Sequence, residues 1–317
     1  MIDLHSHILP NLDDGPRTME DSIQMCRISY HDGIRTIVAT PHILPGIYKN
    51  DRSTILTKLH ELNDTLVQSA ICHPQSAKSL DSAISTLRSR ATAEDGRIPK
   101  SEIDVNSELP AYGRQAQSAI SDMPFAKSLN SALRTPQSAI PLRVLPGADV
   151  HFSSDILQRY EKGEIVTVND RGRYLMVEFA FQGIPYQAEE VLFQLLTKGI
   201  IPIISHPERN MEIGQRPQRY YEMIRMGCLG QVTAMSLTGE FGSGVRRIAE
   251  KLLSKRLIHI IASDAHSPDG RPPVLSAAMK AAEKIVGKEE ARKMVTEYPA
   301  AVIEGKKPCI LEPISFH

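Results

Sequence analysis

The chain of 317 residues has no tryptophan, and its aromatic residues amount to 5%. Single-stranded nucleic acid is held largely by stacking bases on aromatic side chains, so a base-stacking platform is not expected. No charge of either sign is in excess: 37 Lys and Arg balance 37 Asp and Glu, for a formal net charge of zero. General nucleic-acid binders and proteins held on anionic membranes need a basic surplus, so neither partner is expected. Cysteine is scarce. Cys26, Cys72, Cys228 and Cys309 lie far apart with no Cys-x-x-Cys spacing. That pattern speaks against a disulfide framework or a thiolate zinc site and fits a reducing, cytoplasmic setting. Long apolar runs are missing as well. Stretches such as 199–204 are strand-length, whereas a membrane span needs about 20 apolar residues. The opening Met1-Ile2-Asp3-Leu4-His5 has neither a basic nor an apolar leader region, so no signal peptide is expected.

The 41% of hydrophobic residues can build a sizeable core. At about 150 residues per domain the length suggests two domains, although one α/β barrel can also fill it. Three regions differ in character. In residues 1–68, Met19, Ile23, Cys26 and Tyr30 recur at helical spacing behind a Thr18/Asp21 capping box. Asp32-Gly33 ends that helix, and 34–39 follows as a β-branched strand. Residues 69–142 hold 13 Ser and 11 Ala, repeat Ser-Ala-Ile four times, and have two aromatics, Tyr112 and Phe125. So few large apolar groups cannot offset the entropy of ordering, and the segment reads as a low-complexity, disordered insertion. From 143 onward, apolar strands at 143–145, 174–179, 200–205, 229–234 and 258–263 alternate with helical patterns at about 186–198, 217–227 and 240–256. On the last of these, Phe241, Val245, Ile248, Leu252 and Leu253 mark one apolar face. Strands alternating with helices imply βα units and a parallel sheet, about seven in all, which suits a closed or nearly closed barrel.

The residues able to do chemistry follow the strands. His5-Ser6-His7 comes directly after Ile2 and Leu4; residues i and i+2 of an extended strand point to one side, as two imidazoles sharing a metal require. Asp13-Asp14-Gly15 follows. Other strand candidates end in a metal-competent group: His42, Asp149, Glu178, His206, and Asp264 with His266. The C-terminal strand ends of an α/β barrel converge on one face, and charges buried there need a cation. The donors are His, Asp and Glu without Cys, which suits Mn²⁺, Fe²⁺ or Zn²⁺. Nine ligands are too many for one ion and suggest two or three. Such a site generates a hydroxide nucleophile near neutral pH and clamps phosphoryl oxygens. Arg209, in His206-Pro207-Glu208-Arg209, can hold phosphate oxygens bidentately, with Glu208 orienting it. His31, His60, His73, His151, His259 and His317 lack strand-end placement and are read as structural or exposed.

Taken in order, Ile2-Asp3-Leu4-His5-Ser6-His7-Ile8-Leu9-Pro10, Asp13-Asp14-Gly15, Ala39-Thr40-Pro41-His42, Pro146-Gly147-Ala148-Asp149-Val150, Ser205-His206-Pro207-Glu208-Arg209 and Ala262-Ser263-Asp264-Ala265-His266 resemble the PHP-domain phosphatases. More narrowly, they resemble the bacterial manganese-dependent protein-tyrosine phosphatases of the CpsB/CapC/YwqE type. Leu237-Thr238-Gly239 and Tyr298-Pro299-Ala300-Ala301 also look like that family. The resemblance covers about 1–68 and 143–317. It implies a distorted (β/α)7 barrel of the PHP fold, one domain over 1–317 interrupted by the 69–142 insertion. It implies three ions, Mn²⁺ first: one on His5, His7, Asp149 and Asp264; a second on Asp149, Glu178 and His206; a third on Asp14, His42 and His266. Arg209 would bind phosphate, and Arg209 and His42 would serve catalysis. The implied activity is hydrolysis of phosphotyrosine on an autophosphorylating bacterial tyrosine kinase that controls capsule or exopolysaccharide assembly. A small-ester phosphatase acting on histidinol phosphate, or a catalytically impaired binding protein with 69–142 as its arm, are the alternatives. In two respects the chain departs from the family pattern: Asp149 stands where Glu is usual, and the 69–142 segment is expected to have no counterpart and to leave the barrel opposite the metals.

Overall fold

The computed structural model describes residues 1–72 and 142–316. Two compact units are distinguished, residues 1–65 with 141–317, and residues 66–140; the fold below is that of the first. Most of the Ser/Ala-rich segment expected to be disordered, with His73 and the repeats from Ser82 onward, lies outside the described residues, as does His317.

Among the described residues, nine parallel strands are interspersed with helices in chain order. The strands are β1 (Ile2–Ser6), β2 (Thr36–Ala39), β3 (His42–Ile43), β4 (Arg143–Pro146), β5 (Asp149–His151), β6 (Tyr174–Glu178), β7 (Ile201–Ser205), β8 (Leu229–Thr233) and β9 (Ile260–Ala262). The helices are α1 (Met19–His31), α2 (Arg52–Cys72), α3 (Ile156–Glu161), α4 (Ala188–Thr197), α5 (Met211–Gln215), α6 (Gln218–Met226), α7 (Ala234–Thr238), α8 (Ser243–Ser254), α9 (Ser276–Val286), α10 (Lys288–Lys293) and α11 (Glu297–Ile303). The βα units expected from the sequence are therefore present as an α/β fold. α2 runs on to Cys72, past the boundary at 69 that composition suggested.

The strands form two sheets, β1-β2-β4 and β3-β5-β6-β7-β8-β9. β2 leads into β3 across Thr40-Pro41, and β4 into β5 across Gly147-Ala148. Proline cannot donate to a ladder, so pairing breaks at Pro41. Gly147 crosses so near β2 that a Cβ would lie 2.6 Å from the Val38 side chain; no larger residue fits without displacing the strands. Past β9 the chain returns to β1. Asp264 N–H donates to His5 O at 2.8 Å and His7 N–H to Ala265 O at 2.8 Å. The buried Asp3 carboxylate accepts from the Ser263 amide and hydroxyl.

Buried on both faces, these strands are short apolar runs rather than alternating ones, as parallel sheets require. Leu4, Val38, Leu145, Tyr174, Met176, Ile203, Leu229 and Ile260 share one core cluster, closed at one end by Val302 and Ile303 of α11. Helix α1 begins as its sequence dictates: Thr18 Oγ1 accepts from Asp21 N–H at 3.1 Å and donates to the Asp21 carboxylate at 2.7 Å. Asp32 caps its end, and Gly33 turns the chain with φ +92°. Helix α8 differs from its sequence reading. It starts at Ser243, and it buries Ala249, Leu252 and Leu253. Phe241 lies before it, outside the apolar stripe, because Gly242 at φ +90° breaks the helical path. No described helix is long and apolar enough to cross a membrane.

At the N-terminal side of β9, His259 is buried, and its Nδ1 accepts from Gly230 N–H at 3.0 Å. Burial pushes its imidazole down from 6.5 to about 4. An unfolded chain regains the ordinary value and takes up a proton that the folded state refuses. Stability carried by this residue is therefore complete above about pH 6.5 and falls as the pH drops toward 4. Urea unfolding should show wild type losing about 2 kcal/mol more than His259→Gln between pH 7.5 and pH 5; equal losses would show that the burial exerts no such control.

Candidate metal centre

The nine ligand candidates and Arg209 meet at the C-terminal ends of the strands. His5 is the last residue but one of β1 with His7 just beyond and Asp14 in the loop that follows, His42 comes after β2 across Thr40-Pro41, Asp149 comes after β4 across Gly147-Ala148, Glu178 closes β6, His206 follows β7, and Asp264 and His266 follow β9. The register breaks between Asp3 and Ser6. Successive strand side chains point to opposite faces, so Leu4 joins the core while the next residue, His5, reaches the site together with His7. Two positions adopt the left-handed backbone that non-glycine residues avoid, His206 at φ 34° and Asp264 at φ 52°. Such strain concentrates where a side chain must be aimed.

Each of three imidazoles is oriented by a bond from its far nitrogen. His5 Nδ1 meets the Gln231 amide oxygen at 2.9 Å, His7 Nδ1 meets Asp13 Oδ2 at 2.7 Å, and His266 Nδ1 meets Asp264 O at 2.8 Å. These partners accept, so each Nδ1 carries the proton and each Nε2 a lone pair. His5 Nε2 and His7 Nε2 then face one another at 3.1 Å with no proton between them, an arrangement that a cation relieves. Around them, Asp264 Oδ1 lies 3.6 and 3.5 Å from the two nitrogens. Asp149 is split in function. Its Oδ1 accepts from Ser205 Oγ at 2.6 Å, while Oδ2 is buried with no hydrogen-bond partner. His5 Nε2, His42 Nδ1 and His206 Nε2 surround that oxygen at 3.5, 3.7 and 3.8 Å. Glu178 lies 3.4 Å from His42 Nδ1 and 3.5 Å from His206 Nε2. Asp14 Oδ1 faces His42 at 3.7 Å and His266 at 3.4 Å.

Three sets of donors lie close enough to share an ion: His7, Asp14, His42 and His266; His5, His7 and Asp264; and His42, Asp149 and Glu178. Metal–nitrogen bonds of about 2.1 Å set neighbouring ligand atoms roughly 3 to 3.5 Å apart, close to these spacings. The grouping differs from the sequence expectation: Asp149 is absent from the His5–His7–Asp264 set, His7 joins Asp14, His42 and His266, and His42 rather than His206 stands with Asp149 and Glu178. His206 lies beside Asp149 and Glu178 at 3.8 and 3.5 Å but in none of the three sets.

The electrostatics point the same way. Asp13, Asp14, Asp149, Glu178 and Asp264 gather five carboxylates, and the guanidiniums of Arg209 and Arg271 both pair with one of them, Asp264. Asp149 and Asp264 are buried, Asp13 and Glu178 half-buried and Asp14 exposed, and negative charge in excess at buried positions needs cations. Burial would push Asp149 up, but the imidazoles of His5, His206 and His42 outweigh it and hold the carboxyl below its ordinary range. Burial acts on Asp264 in the same way and is overcome by Arg271, His5 and Arg209. Burial also opposes ionisation of Asp13, yet His7 and its neighbours bring that carboxyl to about 2. The donors are thus ionised oxygens and imidazole lone pairs, a set that fits hard or borderline divalent ions.

Several functional neighbours were not legible in the sequence. Asp13, quoted within its motif, is the residue that aims His7, and it also accepts from His42 N–H at 2.9 Å. Gln231 comes from β8 with no motif around it. Arg271 lies in the loop after His266, and its Nη2 donates to Asp264 Oδ2 at 2.6 Å, the oxygen that Arg209 Nη1 also reaches at 2.6 Å. The Tyr48 ring stacks on His42 with centroids 5.8 Å apart; burial and the nearby Asp14 push its phenol up to about 12. His151, read as structural or exposed, shares the strand face of Asp149 and lies 3.4 Å from Glu178. Glu208 does not orient Arg209 directly. It is buried, and its Oε1 accepts from Thr233 N–H at 3.0 Å and Ser236 Oγ at 2.7 Å. Beside the cluster a cavity is walled by Glu178, His206, Arg209 and Phe181.

Comparison with known proteins adds an independent line. A family model described as "Capsular polysaccharide synthesis, CpsB/CapC" matches residues 1–73 and 111–304. The match resumes at 111, so the stretch without a counterpart is shorter than the 69–142 segment expected to lack one. Tyrosine-protein phosphatase YwqE of Bacillus subtilis (strain 168) is 31% identical over 289 residues, covering 91% of this chain and 86% of YwqE. The putative tyrosine-protein phosphatase CapC of Staphylococcus aureus is 30% identical, covering 87% of this chain and 80% of CapC. A crystal structure from work on YwqE of B. subtilis and CpsB of Streptococcus pneumoniae, described as unique metal-dependent tyrosine phosphatases, superposes with a TM-score of 0.75 at 30% identity, covering both chains completely.

The role of Asp13 yields a direct test. Asp13→Ala frees the His7 ring, and loss of a partner that orients a metal-binding imidazole weakens affinity about 10- to 100-fold. Competition of Mn²⁺ against a calibrated chelator should show that loss; unchanged affinity would remove Asp13 from the site.

Proposed function

Because this chain belongs to the CpsB/CapC capsular polysaccharide synthesis family, we propose that it is a metal-dependent phosphatase that hydrolyses phosphotyrosine on proteins. Its substrate is an autophosphorylated bacterial tyrosine kinase of capsule or exopolysaccharide assembly, met in the cytoplasm. The observation that carries this reading is the convergence of eight His, Asp and Glu donors in three overlapping sets, with His206 beside Asp149 and Glu178 and two arginines on Asp264. We assign His5, His7, Asp149 and Asp264 to one ion, Asp149, Glu178 and His206 to a second, and Asp14, His42 and His266 to a third, with Mn²⁺ as the resident metal. Divalent cations there would neutralise phosphoryl charge and generate a nucleophile from water near neutral pH.

The chain's own groups supply the rest. Arg209 and Arg271 each spend donors on Asp264. A guanidinium has five N–H groups, so both retain donors for the non-bridging oxygens of a phosphate. Gln231, Asp13 and the Asp264 carbonyl keep protons on the Nδ1 atoms of His5, His7 and His266, leaving each Nε2 free to bind. Phe181, 47% exposed on the cavity wall, offers apolar surface to the substrate's ring. A departing tyrosine phenolate has an ordinary pKa of about 10, so it leaves without a strong general acid.

We further propose that the two sheets form one distorted seven-stranded PHP barrel, a single domain over 1–317 into which 69–142 is inserted. Supporting this are the β2–β3 and β4–β5 continuations, the core shared by strands of both sheets, and the parallel bridge between Ser6 and Ala265.

Purified protein stripped of metal should lose hydrolysis of a phosphotyrosyl peptide and regain it with Mn²⁺. Full activity after metal removal would sink the metal-dependent reading, and a preference above about 100-fold for histidinol phosphate, roughly 2.7 kcal/mol, would redirect the substrate. His42→Ala should cut turnover by at least about tenfold with little change in melting temperature, since it removes a group at the mouth of the fold. Deleting 69–142 should leave most activity in place; a collapse of soluble yield would show the segment to be structural.

A further inference from the structure

Phe241 was expected on the buried stripe of a helix, yet it lies elsewhere. It stands in the four-residue link between α7 and α8, 5.3 Å from the Arg209 guanidinium carbon and 5.7 Å from that of Arg271, measured to its ring centroid. Both guanidiniums bind the same oxygen, Asp264 Oδ2, at 2.6 Å. Two like charges are thereby brought together over a single carboxylate, whose other oxygen faces His5 and His7. The two guanidiniums therefore repel one another across a single shared oxygen. An aromatic face presents negative charge to cations within about 6 Å, and this ring serves two at once.

The link is built to hold the ring still. Gly239 at φ +99° and Gly242 at φ +90° flank it, and Gly242 N–H donates to Gly239 O at 2.9 Å. Glu240 N–H returns to Met235 O at 3.1 Å, and the Thr238 hydroxyl donates to the Glu240 carboxylate. Glu208, next to Arg209 in sequence, is pinned to Thr233 and Ser236, where β8 passes into α7. The turn bearing Arg209 and the link bearing Phe241 are thus fastened to the same short helix.

We propose that Phe241 is a positioning residue that holds Arg209 and Arg271 side by side as a two-guanidinium clamp for the phosphoryl group. This inference rests on the phosphatase reading of the site and specifies how its phosphate subsite is organised. A single arginine could swing between Asp264 and the substrate. The shared ring instead keeps both planes in place when phosphate competes with Asp264 for their N–H groups.

The test is calorimetric titration of inorganic phosphate into the full-length, Mn²⁺-loaded protein. Phe241→Leu keeps an apolar side chain but removes the ring, and should weaken phosphate binding on the order of tenfold. Phe241→Trp, with a stronger cation-binding face, should bind within about twofold of wild type. Metal content should stay the same in both. In a double-mutant cycle, the loss caused by Phe241→Leu should shrink when Arg271 is already Lys, because the ring acts through the guanidinium. Wild-type affinity in Phe241→Leu, equal losses in Leu and Trp, or strictly additive losses with Arg271→Lys would each overturn the proposal. Failure to turn over phosphotyrosine while phosphate binding still depends on Phe241 would overturn the substrate assignment and leave this inference standing.

Discussion

Negative charge buried at the ends of parallel strands is the constraint from which the rest of this structure follows. Asp13, Asp14, Asp149, Glu178 and Asp264 each lie within 3.7 Å of an imidazole of the site. Charges of one sign are costly together away from water. Two guanidiniums offset part of that cost, and the imidazoles present lone pairs rather than protons where Gln231, Asp13 and the Asp264 carbonyl bind their far nitrogens. The remaining imbalance is what fits the site to divalent cations. A fold that did not hold these strand ends rigidly would let the carboxylates separate into solvent, and the affinity for cations would go with them.

Asp264 shows how closely the parts are coupled. One oxygen faces His5 and His7, and the other is shared by Arg209 and Arg271. Its carbonyl accepts from His266 Nδ1, and its amide donates to His5 O. The candidate metal donors, the two arginines and the meeting of β9 with β1 therefore pass through a single residue with a left-handed backbone. A change there would disturb charge, orientation and strand pairing together, so its effects would not divide cleanly into separate contributions.

Much of the fold was legible because periodicity and capping are local properties. Thr18 and Asp21 announced α1, and the short apolar runs before Glu178 and His206 announced β6 and β7. Most of the candidate donors were legible because residues such as His42, Glu178 and His206 stand at or just past the end of an apolar run, a pattern that needs no knowledge of the partner strands. Phe241 misled for the same reason. Its spacing to Val245 and Ile248 suits a helix, but the φ of Gly242 is settled by the turn that brings the ring over the arginines.

The sequence by itself determined the alternation of strands and helices, the donor types, and their placement at strand ends, all of which depend on near neighbours along the chain. Tertiary structure alone decided which donors stand together. It turned His42 toward Asp149 and Glu178 as well as Asp14, put Gln231 behind His5, and brought Arg271 and Arg209 to one oxygen of Asp264. The physical reason is range. Periodicity is set by bonds between residues a few positions apart, whereas charge compensation acts across space and is fixed when separate strands close on the same few ångströms.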